Sequence, residues 1–383
     1  MREDTLNNNY SALTEVRKNL RINWYRCPID PKTFRELMQP SDFQGFIQAG
    51  GHLFIFLITG GLTLYFATEK LWLEFLAFLF LHGTSASFFK GIAAHELGHG
   101  TVFKTKALNR IFLRIYSIIS WHNHHEYAMS HTYHHRYTLH PEGDREVVLP
   151  LEILMGKPLY LLQIFTFNIT GGPVTSGIIP IIKGTFQTAF GGSGASVISG
   201  EWSNALYTAH QKERPHAIKW ARLIIFFHAC VLLLAIYSEN WALPLVLSTQ
   251  QFTANWLKHF VGLPMHCGLR SDVADFRKCV RSIVLDPISE FLYWRMNWHL
   301  EHHMFAGVPC YNLKKLHKAV ADDMPKVRTF FGAWKEMLEI KRRQQLDPNY
   351  EFDTPVPNTN KTRGGKKMAH TESIGDLAPS SLR

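Results

Sequence analysis

The sequence predicts an all-α integral membrane protein: four transmembrane helices in two hairpins plus a cytosolic helical cap that carries three histidine boxes. Three observations predict it. Four stretches are almost free of charge over about 20 residues, enough helical rise to cross a hydrocarbon core of about 30 Å. Lys and Arg are nearly absent from the two short segments that join these stretches in pairs and are frequent elsewhere. The 21 histidines cluster at spacings that share one face of a helix.

In chain order, residues 1–44 form a polar arm of mixed charge, 45–340 the membrane domain, and 341–383 a tail rich in charge, Pro, Asn, Gly and Ser that is expected to be disordered. No early apolar run precedes Ser41, so no signal peptide is expected. The first hairpin pairs Phe46 to Phe66 with Leu71 to Phe89. The second pairs Ala221 to Tyr237 with Trp241 to Val261, with Arg222 and Lys258 near their ends. The two connections hold a single Lys between them, so both hairpins are expected to dip in from the cytosolic side. Both termini and the boxes then face the cytosol, at the endoplasmic reticulum or a bacterial inner membrane. The competing picture, buried helices of a large soluble core, draws on the Gly and Gln residues inside the spans. The formal charge of +10 fits positive-inside topology and anionic headgroups, and no nucleic-acid motif accompanies it.

Between the hairpins, residues 108–120 (LNRIFLRIYSIIS) place Arg among apolar residues at helical spacing, as in a helix lying on the headgroup layer. Residues 147–190 are apolar but interrupted by Pro150, Pro158, Gly171-Gly172-Pro173 and Pro180, which suits half-inserted segments. Gly191-Gly192-Ser193-Gly194 lacks the Gly-Lys-Ser/Thr of a phosphate loop and reads as a linker. The five cysteines form no C-x-x-C pair, which fits reduced thiols. Sequons at Asn9, Asn168 and Asn360 fall on the expected cytosolic side and read as chance matches; an N-glycan on any of them would overturn that topology.

The histidines carry the chemistry. AAHELGHG, residues 93–100, contains His-Glu-x-x-His, which in a zinc peptidase would make Glu96 the general base. SHTYHH adds His131, His134 and His135, and NWHLEHH adds His299, His302 and His303. Positions i, i+3 and i+4 share a helix face, so each of these boxes aims three imidazoles at one point, and the first aims His95 and His99. A catalytic zinc takes three protein ligands, so eight imidazoles exceed one zinc's needs and suit two metals. Imidazole alone does not choose among iron, copper, nickel and zinc. His266 in PMHCGLR is a ninth candidate by position, with Asn255 and His259 as weaker ones. His122, His124 and His125 have the wrong spacing and read as a polar rim.

HELGH, SHTYHH and NWHLEHH, with the four-span layout, resemble the membrane-bound fatty acid desaturase superfamily, which also contains alkane, sterol and carotenoid oxygenases. The resemblance covers about residues 45–320. FAGVPCYNLKKLH, residues 305–317, is similar to the stretch after the third box of lipid desaturases, with Ala306 where Pro is common. MHCGLR resembles a segment of alkane monooxygenases. The resemblance implies two iron ions held by His95, His99, His131, His134, His135, His299, His302 and His303, with His266 added by the weaker match, and O₂ as co-substrate. It implies that Glu96, Asp144, Asp272 and Glu301 hold imidazoles in their ligating tautomer. A lipid or acyl-chain desaturase follows first, a hydroxylase of the same superfamily second, and a membrane zinc peptidase last. No flavin, nicotinamide or cytochrome b5-like segment is visible, so an external donor of the ferredoxin or cytochrome b5 type is implied. A metal transporter is disfavoured, since His52, His82, His228, Lys258 and His259 do not repeat between the hairpins.

Overall fold

Three helices in the computed structural model, which describes residues 10–192 and 200–357, are long and apolar enough to cross a membrane: Asp42–Thr68, Trp72–His99 and Arg214–Tyr237. The first starts at Ser41, whose side chain accepts from Gln44 N and so satisfies one free donor of the opening turn. Its outward face exposes Phe54, Leu57 and Ile58, as a lipid-facing stripe requires, while His52 and Thr63 are buried against neighbours. The histidines inside the spans act as stitches. Trp294 Nε1 donates to His52 Nδ1 at 2.9 Å, and His82 Nε2 meets the Val246 carbonyl oxygen at 3.0 Å. His228 lies between Ser248 Oγ and the Ile118 carbonyl oxygen.

The expected fourth span is not a continuous helix. Trp241 to Val261 divides into Ala242–Leu247, a short 3₁₀ turn at Gln250–Phe252, and Trp256–Gly262. Pro244 sits in the first turn of the short helix, where its missing N–H costs nothing, and the helix ends where the polar run Ser248-Thr249-Gln250-Gln251 bonds outward instead. The Ser248 carbonyl accepts from Trp121 Nε1 and the Ala254 carbonyl from Thr84 Oγ1, while Gln250 Nε2 donates to the Ile119 carbonyl. Such irregular backbone is tolerated at membrane depth only where protein covers it. An average of hydropathy over the stretch hides this break.

The second span is bent. At Lys90 and Gly91 the backbone leaves the helix, Gly91 taking φ +76, a left-handed conformation that a residue without Cβ adopts freely. Beyond the bend a separate short helix, Ala94–His99, carries the first box and ends at left-handed Gly100. Lys258 Nζ donates to the Lys90 carbonyl oxygen at 2.6 Å, which ties the broken stretch to the bend.

Helix Lys106–Ile119 follows the spacing expected of it, burying Phe112, Leu113 and Tyr116 and exposing Ile111. The interrupted region yields two short helices, Pro158–Phe165 and Ile178–Ala189. Asn168 is fully buried and donates to Thr175 Oγ1. Asn9, Asn360, Ser193 and Gly194 lie outside the described residues.

The largest apolar cluster, with Phe88, Phe89, Tyr116, Trp294 and Met304, underlies the boxes. The N-terminal arm adds a second cluster, in which Leu13 and Val16 pack on Met129, Tyr133 and Trp202. The last helix, Phe330–Leu346, runs past residue 340, where the sequence suggests that disorder begins. Glu339 pairs with Arg342 and Arg343 one turn on, and Asp353 pairs with Arg270 and Lys278. Residues 358–383 lie outside the described residues.

Candidate metal centre

Each box lies on its own helix: Ala94–His99, His124–Tyr137 and His299–Met304. The second starts at Asn123, whose side chain accepts from Glu126 N. His266 follows the 3₁₀ turn Leu263–Met265. Folding brings the nine imidazoles into two groups: His95, His99, His131, His135 and His302 in one, His134, His266, His299 and His303 in the other. The division cuts across the boxes, since boxes two and three each send ligands to both groups.

The nitrogens within a group are close. His302 Nε2 lies 3.2 Å from Nε2 of both His95 and His135, and His95 Nε2 lies 3.3 Å from that of His99. In the second group His299 Nε2 lies 3.1 Å from Nε2 of both His266 and His303. A neutral imidazole has one N–H and one lone pair. Several Nδ1 atoms here face fixed partners, which leaves the lone pair on Nε2. His134 Nδ1 is 2.9 Å from Asp144 Oδ2, His131 Nδ1 is 3.0 Å from Glu146 Oε1, and His266 Nδ1 is 3.1 Å from the Cys279 carbonyl oxygen. His303 Nδ1 meets Thr138 Oγ1 at 3.1 Å, and Glu96 Oε1 lies 2.9 Å from His95 Nδ1 and 3.5 Å from His302 Nδ1. Lone pairs facing one another would repel. Ligand atoms about 2.0–2.1 Å from a cation, by contrast, lie roughly 2.9–3.4 Å apart, the spacing found here. The residues fit two metal ions.

The electrostatics agree. Burial, reinforced by neighbouring imidazoles, pulls His131, His135, His299, His302 and His303 well below the usual histidine range. Burial, with the His134 charge adding to it, lowers His266 to about 3. These rings are therefore neutral, as ligation requires. His134 is the exception: burial lowers it, but the charge and hydrogen bond of Asp144 prevail and raise it. Burial pushes Glu146 up to about 7 against the charge of His134.

The carboxylates named from the sequence divide. Glu96 and Asp144 touch predicted ligands. Glu301 instead bonds His317 Nδ1 at 2.6 Å and Ser282 Oγ at 2.5 Å. Asp272 is exposed at a left-handed position, its backbone N–H donating to the Leu139 carbonyl. Glu146, which sequence reasoning missed, meets His131 and accepts from Ser130 Oγ. The alternation Glu142-Gly-Asp144-Arg-Glu146 was its only signal, since in an extended segment residues two apart share a side. His259 bonds Tyr160 OH at 2.9 Å, and Asn255 lies 3.5 Å from Asn168; neither joins a group. His122, His124 and His125 also stay outside both groups, although His124 lines a narrow cavity with Ala94, His95, Gly98, Leu113 and Tyr127.

We expect Glu146→Gln, which keeps the volume but removes the carboxylate, to weaken metal binding about 10- to 100-fold, read as metal retained against a graded chelator. Unchanged retention would show that His131 needs no such partner.

Membrane-length helices, together with nine imidazoles drawn into two groups of which the four-histidine one is wholly buried, define a membrane protein with places for two histidine-held metals. The family model for fatty acid desaturases matches residues 70–334, well over half of the chain, and the protein belongs to that family. No curated protein matches the chain. Membership makes it an oxidoreductase of the desaturase and hydroxylase type, acting on lipids in association with a membrane.

Proposed function

We propose that the chain is an O₂-dependent di-iron desaturase that introduces a double bond into the aliphatic chain of a lipid or fatty acyl substrate, at the cytosolic face of the endoplasmic reticulum or a bacterial inner membrane. The observation that carries this reading is the division of nine imidazoles into groups of five and four. Two irons, when bound, supply the reductive O₂ activation that an unactivated C–H bond demands and that acid-base groups cannot provide. The chain's residues do the rest. His95, His99, His131, His135 and His302 would hold one iron, and His134, His266, His299 and His303 the other. Asp144 and Glu146 keep the proton on Nδ1 of His134 and His131 and so keep Nε2 free to ligate, while Glu96 places its carboxylate beside His95 and His302. The cavity beside the five-histidine group has small apolar walls at Ala94, Leu113 and Ala128, and Gly98 faces open space.

Desaturation removes two hydrogens from the substrate and takes two electrons and two protons from outside, while O₂ leaves as two waters. A ferredoxin or cytochrome b5 type of protein is the proposed electron source. Hydroxylation by the same centre is the competing outcome, favoured by the MHCGLR stretch, whose His266 sits in the four-histidine group. Expression with a reductase system under ¹⁸O₂ separates them by mass spectrometry. We expect a lipid product lighter by two hydrogens and free of ¹⁸O; a product carrying one ¹⁸O would make the protein a hydroxylase.

A further inference from the structure

The four-histidine group is sealed: His134, His266, His299 and His303 are all buried. An electron bound for a metal there must cross protein, and the N-terminal arm offers a crossing. Trp24, half-buried on that arm, stacks on Phe276 with ring centroids 4.0 Å apart and planes within 8° of parallel. Phe276 is buried, and its ring lies 5.8 Å from that of His303. The indole is held in place, since Trp24 Nε1 donates to the Arg136 carbonyl at 2.9 Å and the His140 ring meets it edge-on at 5.4 Å. One continuous path of π-systems thus links the surface to a candidate ligand.

The stretch of the arm that carries Trp24 is basic, with Asp275 and Asp323, which meet Tyr25, both paired to Arg277. Arg17, Lys18, Arg21 and Arg26 are all exposed, and no acidic residue falls between Arg17 and Arg26. Lys18 pairs with Glu15, which leaves most of this charge unopposed within the segment. Such a patch attracts and orients a protein of opposite charge.

We propose that a one-electron carrier protein with an acidic face docks on the arm around Trp24 and that its electrons pass through the Trp24–Phe276 stack and His303 to the four-histidine group. This inference rests on the proposed function, which requires two external electrons per product. Two carriers each lose one electron, the substrate gives up two electrons with its two hydrogens, and solvent supplies two protons. The four electrons and four protons account for O₂ leaving as two waters.

The test uses the full chain, iron-loaded in lipid nanodiscs, with the soluble haem domain of cytochrome b5 and a plant-type [2Fe–2S] ferredoxin as carriers. Dithionite is the reductant that needs no docking. Trp24→Leu should slow carrier-driven iron reduction more than about tenfold, a barrier change of about 1.4 kcal/mol, with Trp24→Phe in between. Iron content and dithionite-driven reduction should stay at the wild-type level. The double variant Arg21→Glu, Arg26→Glu should weaken carrier binding to metal-free protein about tenfold, an effect that shrinks as salt rises.

An unchanged carrier rate in Trp24→Leu overturns the proposal, as does a loss of iron or of dithionite-driven reduction, either of which marks a merely structural indole. Failure of both carriers on the wild type, with dithionite effective, overturns it as well. Absence of any oxidised lipid from reduced wild-type protein under O₂ is a separate result, which would sink the proposed function and the relay with it.

Discussion

His302→Ala should abolish turnover, by more than about 100-fold, and, on the di-iron proposal, lower bound iron from two toward one per chain while the protein stays in the membrane fraction as a monodisperse species. The loss exceeds the 10- to 100-fold that removing an outer hydrogen-bonding partner costs, because the ligand itself is gone. His302 is fully buried, and its Nε2 is the atom that brings His95 and His135 within 3.2 Å of one point. The helix that carries it has other anchors, among them Ser282 Oγ accepting from Leu300 N, so the fold should outlast the substitution. His124→Ala is the control: that ring lies outside both groups, and the variant should keep both irons and measurable activity. Equal losses in the two variants would mean that the grouping does not describe the metal ligands.

Gly83→Val should be strongly damaging although remote from the centre. A Cβ at position 83 would sit 2.3 Å from the Thr253 carbonyl oxygen and 2.8 Å from the Thr253 carbonyl carbon, and backbone yields poorly. Thr253 lies in the break of the expected fourth span, so the clash would push that stretch away from the second span. Overpacking of this kind costs about 1–3 kcal/mol, with more expected where the obstacle is main chain. The readout is the unfolding temperature in detergent, which should fall by several degrees, with Gly61→Val as comparison because nothing lies within 4 Å of its Cβ. Equal temperatures for both variants would contradict the close approach of these segments.

What the sequence made legible follows from distance along the chain. The boxes were readable because a helix converts spacings of three and four residues into a shared face, and a ligand triad is then local. How three boxes partition into two groups is not local: His131 and His134 of one helix part company because His95 and His266 arrive from different elements. Glu146 was missed for a similar reason, since its distance from His131 depends on how the chain returns after Tyr137. The broken fourth stretch was misread because its polar residues find partners on Ile119, Trp121 and Thr84, far away in sequence. Trp24 carried no motif, and only its stack on Phe276 gives it meaning.

The central claim is that these imidazoles hold two irons that carry out the lipid oxidation. Elemental analysis of purified protein, combined with activity before and after iron chelation, tests it most directly. About two irons per chain, little zinc, loss of lipid oxidation on chelation and recovery with Fe²⁺ but not Zn²⁺ are the results expected from groups of five and four ligands. One zinc per chain, with activity surviving iron chelation, would contradict it.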